Sequence, residues 1–231
     1  MLSLRLAYLL SIIGTLGPFY FLFYYFRKNI RQKMRRMSLY GAIAGPLSEL
    51  WYLKDYWQPT FTLGQLGFIE DMLFGALLAG FSGGLISILF NVDTAATDKF
   101  KNKNSRRFIF IGAAVGALLL LTTIFKLNSI YSSVIAFLVI TVFIWRERRD
   151  LIKYSLAGAG IWVFLAAIGY NIILLFWPTM IRDWWLWQNI SRITFLRVPL
   201  EEYLWFGSWG LVGSVIFEWK RGYELIARKS S

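Results

Sequence analysis

The chain has 231 residues, of which 57% are hydrophobic and 19% aromatic, and it carries a formal net charge of +12. Its mean hydropathy of +0.53 exceeds that of an ordinary soluble domain, and the apolar residues come in long blocks, which argues against a soluble enzyme. Cysteine and histidine are both absent. This excludes thiolate nucleophiles, disulfides, Cys- or His-ligated metals and His-based triads, and leaves chemistry to carboxylates, Lys, Arg, Tyr, Ser or Thr.

Taken in chain order, apolar runs of membrane-crossing length predict seven spans, at about 3–26, 38–53, 63–90, 108–126, 128–145, 154–177 and 195–219. The first is too long and too aromatic, ending in Tyr20 to Phe26, for a cleaved signal peptide. Basic residues sort onto one side. Arg27, Lys28, Arg31, Lys33, Arg35 and Arg36 follow the first span, and Lys99, Lys101, Lys103, Arg106 and Arg107 follow the third. Arg146, Arg148, Arg149 and Lys153 follow the fifth, and Lys220, Arg221, Arg228 and Lys229 form the tail. Arg5, Lys54, Lys126, Arg182, Arg192 and Arg197 remain for the other side. The asymmetry predicts a multi-pass protein of the cell membrane with its N-terminus outside and its C-terminus cytoplasmic. It also accounts for the charge through the bilayer, without nucleic acid. No hydrophilic stretch exceeds the loop at 91–107, so chemistry is expected within or beside the bilayer, on a lipophilic substrate.

The spans repeat in layout. The expected fold is an all-α membrane protein of about seven transmembrane helices, forming one integral membrane domain over 1–231. Two parallel three-helix repeats, at about 1–93 and 127–220, are joined by a linker helix at about 108–126. Each repeat runs as helix, basic loop, helix, Trp-rich loop, then a helix with adjacent acids. The Trp-rich stretches are Trp51 to Trp57 and Arg182 to Trp187; the acidic pairs are Glu70-Asp71 and Glu201-Glu202.

An ionised carboxylate at the bilayer centre costs roughly 2.5 to 3.5 kcal/mol on insertion scales, so acids inside spans are candidates for function. Glu49, Glu70, Asp71, Glu201 and Glu202 fall there. A carboxyl in an apolar setting can keep its proton and act as general acid, with a neighbour as base. Adjacent residues on a helix point about 100° apart, so only one acid of each pair faces a central pocket directly. Arg197, four residues before Glu201, is expected to share its helix face and hold it ionised, which leaves Glu202 as the protonated member. A packing role would instead pair the acids with Arg197, Asn171 or tyrosine hydroxyls. Tyr203, Trp205, Phe206 and Trp209 lie near the second pair and could stabilise a cation through their ring faces. Trp177, Trp184, Trp185 and Trp187 read as an interfacial belt. Gly80-to-Gly84 and Gly112-to-Gly116 have the spacing of helix-packing glycines.

The run Pro199-Leu200-Glu201-Glu202-Tyr203-Leu204-Trp205-Phe206, with Glu218 sixteen residues after Glu202, resembles the membrane-integral lycopene cyclases of bacteria, archaea and fungi. Their pattern is Pro-x-Glu-Glu, an aromatic pair and a later Glu, here in Phe217-Glu218. Residues about 182–218 match closely. The first half departs, with Phe68 in place of the proline, Asp71 in place of the second Glu and Ser87 where the late Glu would stand.

The resemblance implies an intramolecular lyase acting on a linear carotene, non-redox and without a cofactor or metal. Glu201, Glu202, Glu70 and Asp71 would be catalytic; Tyr203, Trp205, Phe206, Trp209, Glu218 and Glu49 would line the substrate. Such cyclases occur as two small subunits or one fused chain, so a homo- or hetero-oligomer is left open. The rival reading is a transporter or lipid-binding seven-helix protein that uses the acids for protons. A prenyl-protein-processing metalloprotease also begins with adjacent glutamates, but it needs histidines, and there are none.

Overall fold

Proline and glycine set the first break in the computed structural model, which describes residues 4–62, 68–97 and 104–228. Helix α1 (Leu4–Thr15) stops before Gly17-Pro18, and α2 (Gly17–Phe26) restarts with Pro18 in its first turn, where a missing N–H costs nothing. Helix α3 (Arg31–Asp55) and α4 (Phe68–Leu89) follow, then β1 (Val92–Ala96), α5 (Asn104–Thr123), α6 (Ser129–Glu147) and α7 (Ile152–Phe176). The chain ends with α8 (Met180–Trp184), a hairpin of β2 (Thr194–Phe195) and β3 (Val198–Pro199), α9 (Leu200–Gly213), α10 (Ile216–Arg221) and β4 (Tyr223–Ala227).

The stretches Leu4–Phe26, Phe68–Leu89, Ser129–Glu147 and Arg149–Phe176 are long and apolar enough to cross a membrane. The second expected span lies within α3, a 25-residue helix with charge at both ends and Pro46 inside. The fourth is a shorter apolar helix, Arg107–Thr123. The seventh differs from expectation. Helix does not begin at 195, because Leu196 and Arg197 both have positive φ (49° and 66°) and form the two-residue turn of the β2–β3 hairpin. Pro199 then caps α9, which stops at Gly213, and α10 adds six more residues. Residues 1–3 and 63–67, at the starts of two expected spans, lie outside the described residues, as do Lys99, Lys101, Lys103, Lys229 and the Arg106 side chain.

Two stretches share one build. Arg27 and Arg148 leave α2 and α6 with ψ of 77° and 74°, and a 3-10 turn follows each, at Lys28–Ile30 and Arg149–Leu151. A helix of 25 residues follows each turn, α3 and α7. The strands beyond α4 and α10 pair antiparallel with each other, from Val92↔Ala227 to Ala96↔Tyr223. Around this sheet gather the basic segments. Arg27 reaches Asn91 and Asp93, Arg148 donates to the Tyr223 carbonyl, and Arg107 donates to that of Lys220. The opposite end is Trp-rich: Gln58 donates to the Trp184 carbonyl (2.7 Å), Leu186 to that of Tyr56 (2.9 Å), and Trp57 bridges Trp185.

Glycines let the helices touch backbone to backbone. A Cβ at Gly41 would lie 1.9 Å from the Gly75 carbonyl oxygen, and one at Gly45 would lie 2.2 Å from that of Asp71. In the second half, Gly158 and Gly210 meet across α7 and α9 in the same way. Gly80 and Gly84 pack against Tyr20, Ser38, Ile30 and Met34, as their spacing suggests. Gly112 and Gly116 do not: a Cβ at either meets nothing within 4 Å.

Substituting Gly41 by Ala must therefore push α3 from α4, at a cost of about 1–3 kcal/mol, the scale of overpacking. Thermal unfolding in detergent should show a lower midpoint for Gly41→Ala, with Gly112→Ala unchanged or higher. Equal midpoints for Gly41→Ala and the parent chain would show that this contact is not tight.

Candidate functional site

Both acidic pairs occupy first helical turns, Glu70-Asp71 in α4 and Glu201-Glu202 in α9. They therefore sit beside the Trp-rich end rather than midway along the bundle. There the positive end of the helix dipole favours negative charge. All four side chains are buried, at 0%, 3%, 1% and 6% exposure respectively, and Glu49 is 9% exposed. Buried carboxylates need donors, and these five accept from uncharged ones.

Glu202 is the most heavily bonded. Tyr56 and Trp185 (2.9 Å) donate to Oε1, and Tyr170 donates to Oε2. Tyr56 lies just past α3, Tyr170 on α7, and Trp185 in the loop after α8. Glu201 turns the other way. Its Oε1 accepts from the Tyr131 hydroxyl on α6 (2.5 Å) and the Ser191 backbone N–H (2.8 Å), while Oε2 has no hydrogen-bond partner among the described residues. In the first half, Glu70 accepts from the Thr62 backbone N–H (3.1 and 3.2 Å) and Asp71 from the Tyr8 hydroxyl (2.8 Å). Glu49 accepts from Trp57 Nε1 (3.1 Å). Among the described residues no group of His, Cys, Asp or Glu is arranged to hold a metal ion.

Aromatic rings join the two clusters. Tyr8 packs edge-on against Trp57 at 5.2 Å, and Trp57 lies 5.6 Å from Trp185. A second aromatic row continues along α9. Trp205 and Trp209 stack at 6.3 Å, and Phe206 stacks on Trp162 at 5.6 Å. The indole N–H of Trp205 donates to Tyr52 (2.8 Å) and that of Trp209 to Ser82 (3.0 Å). Tyr203 donates to the Phe195 carbonyl (3.0 Å), which pins the hairpin to α9.

Several sequence expectations change. Arg197 does not hold Glu201: it sits exposed in the hairpin turn, off the helix, and Tyr131 and Ser191 take its place. Asn171 bonds the Ala167 carbonyl of its own helix. Trp177, Trp184 and Trp185 are buried at 6%, 3% and 4%, so they form interior walls rather than a surface belt. Glu218 stands at the basic end in a buried ion pair with Lys33, separate from the Glu201-Glu202 bonds. The sequence reading missed Tyr8, Tyr56, Tyr131, Tyr170, Trp57 and Trp185 as partners. The signal available in the sequence is the chemistry of tyrosine hydroxyls, which can satisfy buried acids.

Residues 128–220 match the family model for lycopene cyclase, less than half of the chain. The matched segment contains Glu201, Glu202 and the aromatics of α9. The match supports a carotenoid-cyclising function in general terms. No curated protein and no solved structure matches the chain.

The Lys33–Glu218 pair yields a test. Removing one partner of a buried pair leaves an uncompensated charge, worth about 3–5 kcal/mol, whereas replacing both by apolar residues is often near neutral. Lys33→Met alone should lower the detergent melting point sharply, and Lys33→Met with Glu218→Leu should recover most of it. A double variant no more stable than Lys33→Met alone would show that the cost does not come from the unpaired charge of Glu218.

Proposed function

We propose that the protein is a membrane-embedded lycopene cyclase that closes an end group of a linear carotene by acid–base catalysis. The observation that carries this reading lies in the matched segment. Two adjacent carboxyl groups, Glu201 and Glu202, are buried at the start of α9 among phenols and indoles. An acid protonates the terminal double bond of the ψ end group and generates a tertiary cation. The neighbouring double bond attacks that centre and closes a six-membered ring, and a carboxylate removes a proton. Atoms balance and no electrons are exchanged. Ring faces of Trp205, Phe206 and Trp209 are the cation-stabilising surface in this scheme.

The membrane setting is supported by the four long apolar stretches among the described residues and by large apolar side chains on the exterior, such as Tyr25, Ile109 and Leu175 at 72%, 69% and 77% exposure. Segregation of basic segments to the β1–β4 end supports placing that end in the cytoplasm. The shared build of α2–α3 and α6–α7 supports two repeats in a seven-span arrangement. A reporter after Lys220 should then read cytoplasmic, and one within 178–192 external. The reverse pattern would overturn the orientation.

Glu→Gln keeps size and polarity but removes the transferable proton. In lycopene-accumulating cells the parent gene should turn colour from red towards yellow or orange. Glu201→Gln and Glu202→Gln should leave the protein level intact and lower turnover by about 10² or more, the scale of lost general acid–base catalysis. Glu70→Gln should reduce conversion without abolishing it. Parent-like turnover in the Glu201→Gln/Glu202→Gln double would make both acids structural.

A further inference from the structure

We infer that Tyr56 is a positioning residue, supplied by the first half of the chain, that fixes the carboxyl group of Glu202 in the second half. The inference rests on the proton-transfer role proposed for Glu202 above. Tyr56 is 4% exposed and follows α3 as its C-cap, with its backbone N–H on the Tyr52 carbonyl at 2.9 Å. Its own carbonyl accepts from Leu186 at 2.9 Å, so the peptide is held on both sides.

The hydroxyl sits where three groups converge. It donates to Glu202 Oε1 and faces Trp185 Nε1 at 3.0 Å, while that indole also reaches Glu202 Oε1 at 2.9 Å. A phenol with an ordinary pKa of about 10 keeps its proton at neutral pH and remains a donor. Tyr52 and Trp185 pack edge-on against the ring at 6.1 and 6.5 Å and restrict its swing. With Tyr170 on Oε2, both oxygens of Glu202 are tethered, which opposes rotation of the carboxyl plane. Its two donors on Oε1 come from the two Trp-rich loops, which are joined at the Trp57–Trp185 bridge. Docking of those loops thus sets the direction in which Glu202 exchanges its proton, and small misplacements of a reacting group can cost up to about 10²-fold.

The test uses the full-length chain in detergent and in lycopene-containing vesicles. The infrared carboxyl band lost in Glu202→Gln identifies Glu202. In Tyr56→Phe that band should shift, and turnover should fall about 10- to 100-fold, with KM and melting point near those of the parent. Trp185→Phe, which removes the indole donor from the same oxygen, should shift the same band; Tyr20→Phe, whose hydroxyl accepts from Ser38 at 3.2 Å, should not. An unshifted band with parent turnover in Tyr56→Phe overturns the inference. If Tyr56→Phe fails to fold, an unshifted band in Trp185→Phe overturns it equally. If the parent chain converts no lycopene, the cyclase reading fails, and the infrared comparison alone then decides the role of Tyr56.

Discussion

Burying five carboxyl groups at one end of a helical bundle, with uncharged donors facing them, constrains nearly everything else in the molecule. Each buried oxygen must be satisfied or it costs about 1–3 kcal/mol or more. Tyr8 comes from α1, Tyr56 from the end of α3, Tyr131 from α6 and Tyr170 from α7. Four elements must therefore converge on α4 and α9 to within a phenol's reach. The glycine contacts at Gly41–Gly75 and Gly158–Gly210 bring the backbones close enough for that. The Trp-rich loops then close the end, and their indoles complete Glu49 and Glu202.

Placement in first helical turns lowers the cost of these acids. Free backbone N–H groups at a helix start, and the dipole behind them, favour negative charge by a few tenths to about 1 kcal/mol. Loop amides add to this, Thr62 for Glu70 and Ser191 for Glu201. The same placement gives the site two unlike carboxyl groups. Glu202 has donors on both oxygens, whereas Glu201 Oε2 has no partner among the described residues.

Hydropathy and charge spacing made the helices, the basic end and the acids legible, because those features are local in sequence. The donors were not. Tyr8 lies 63 residues from Asp71 and Tyr56 lies 146 from Glu202, so no periodicity links them. Arg197 was misread because an i to i+4 argument holds only on a helix, and a positive-φ turn followed by Pro199 prevents one there. Buried and interfacial tryptophans look alike in composition, and only the pairing of the two Trp-rich loops separates them. Glycine spacing shows the same ambiguity: Gly41 and Gly45 face α4, whereas Gly112 and Gly116 face open space.

The asymmetry between the halves follows from where each acid finds its partner. Glu49, Glu70 and Asp71 are held by Trp57, Thr62 and Tyr8, all within the first half. Glu202 and Glu218 are held across the halves, by Tyr56 and Lys33. Phe68 and Ser87, where the resemblance would place a proline and a late acid, stand apart from these two cross-links. Ser87 still serves locally, its carbonyl accepting from Arg27 at 3.1 Å. Asp71, one methylene shorter than a glutamate, accepts from one phenol, where Glu202 accepts from two phenols and an indole. The first half thus supplies donors to the second half's acids, whereas its own acids are held within it.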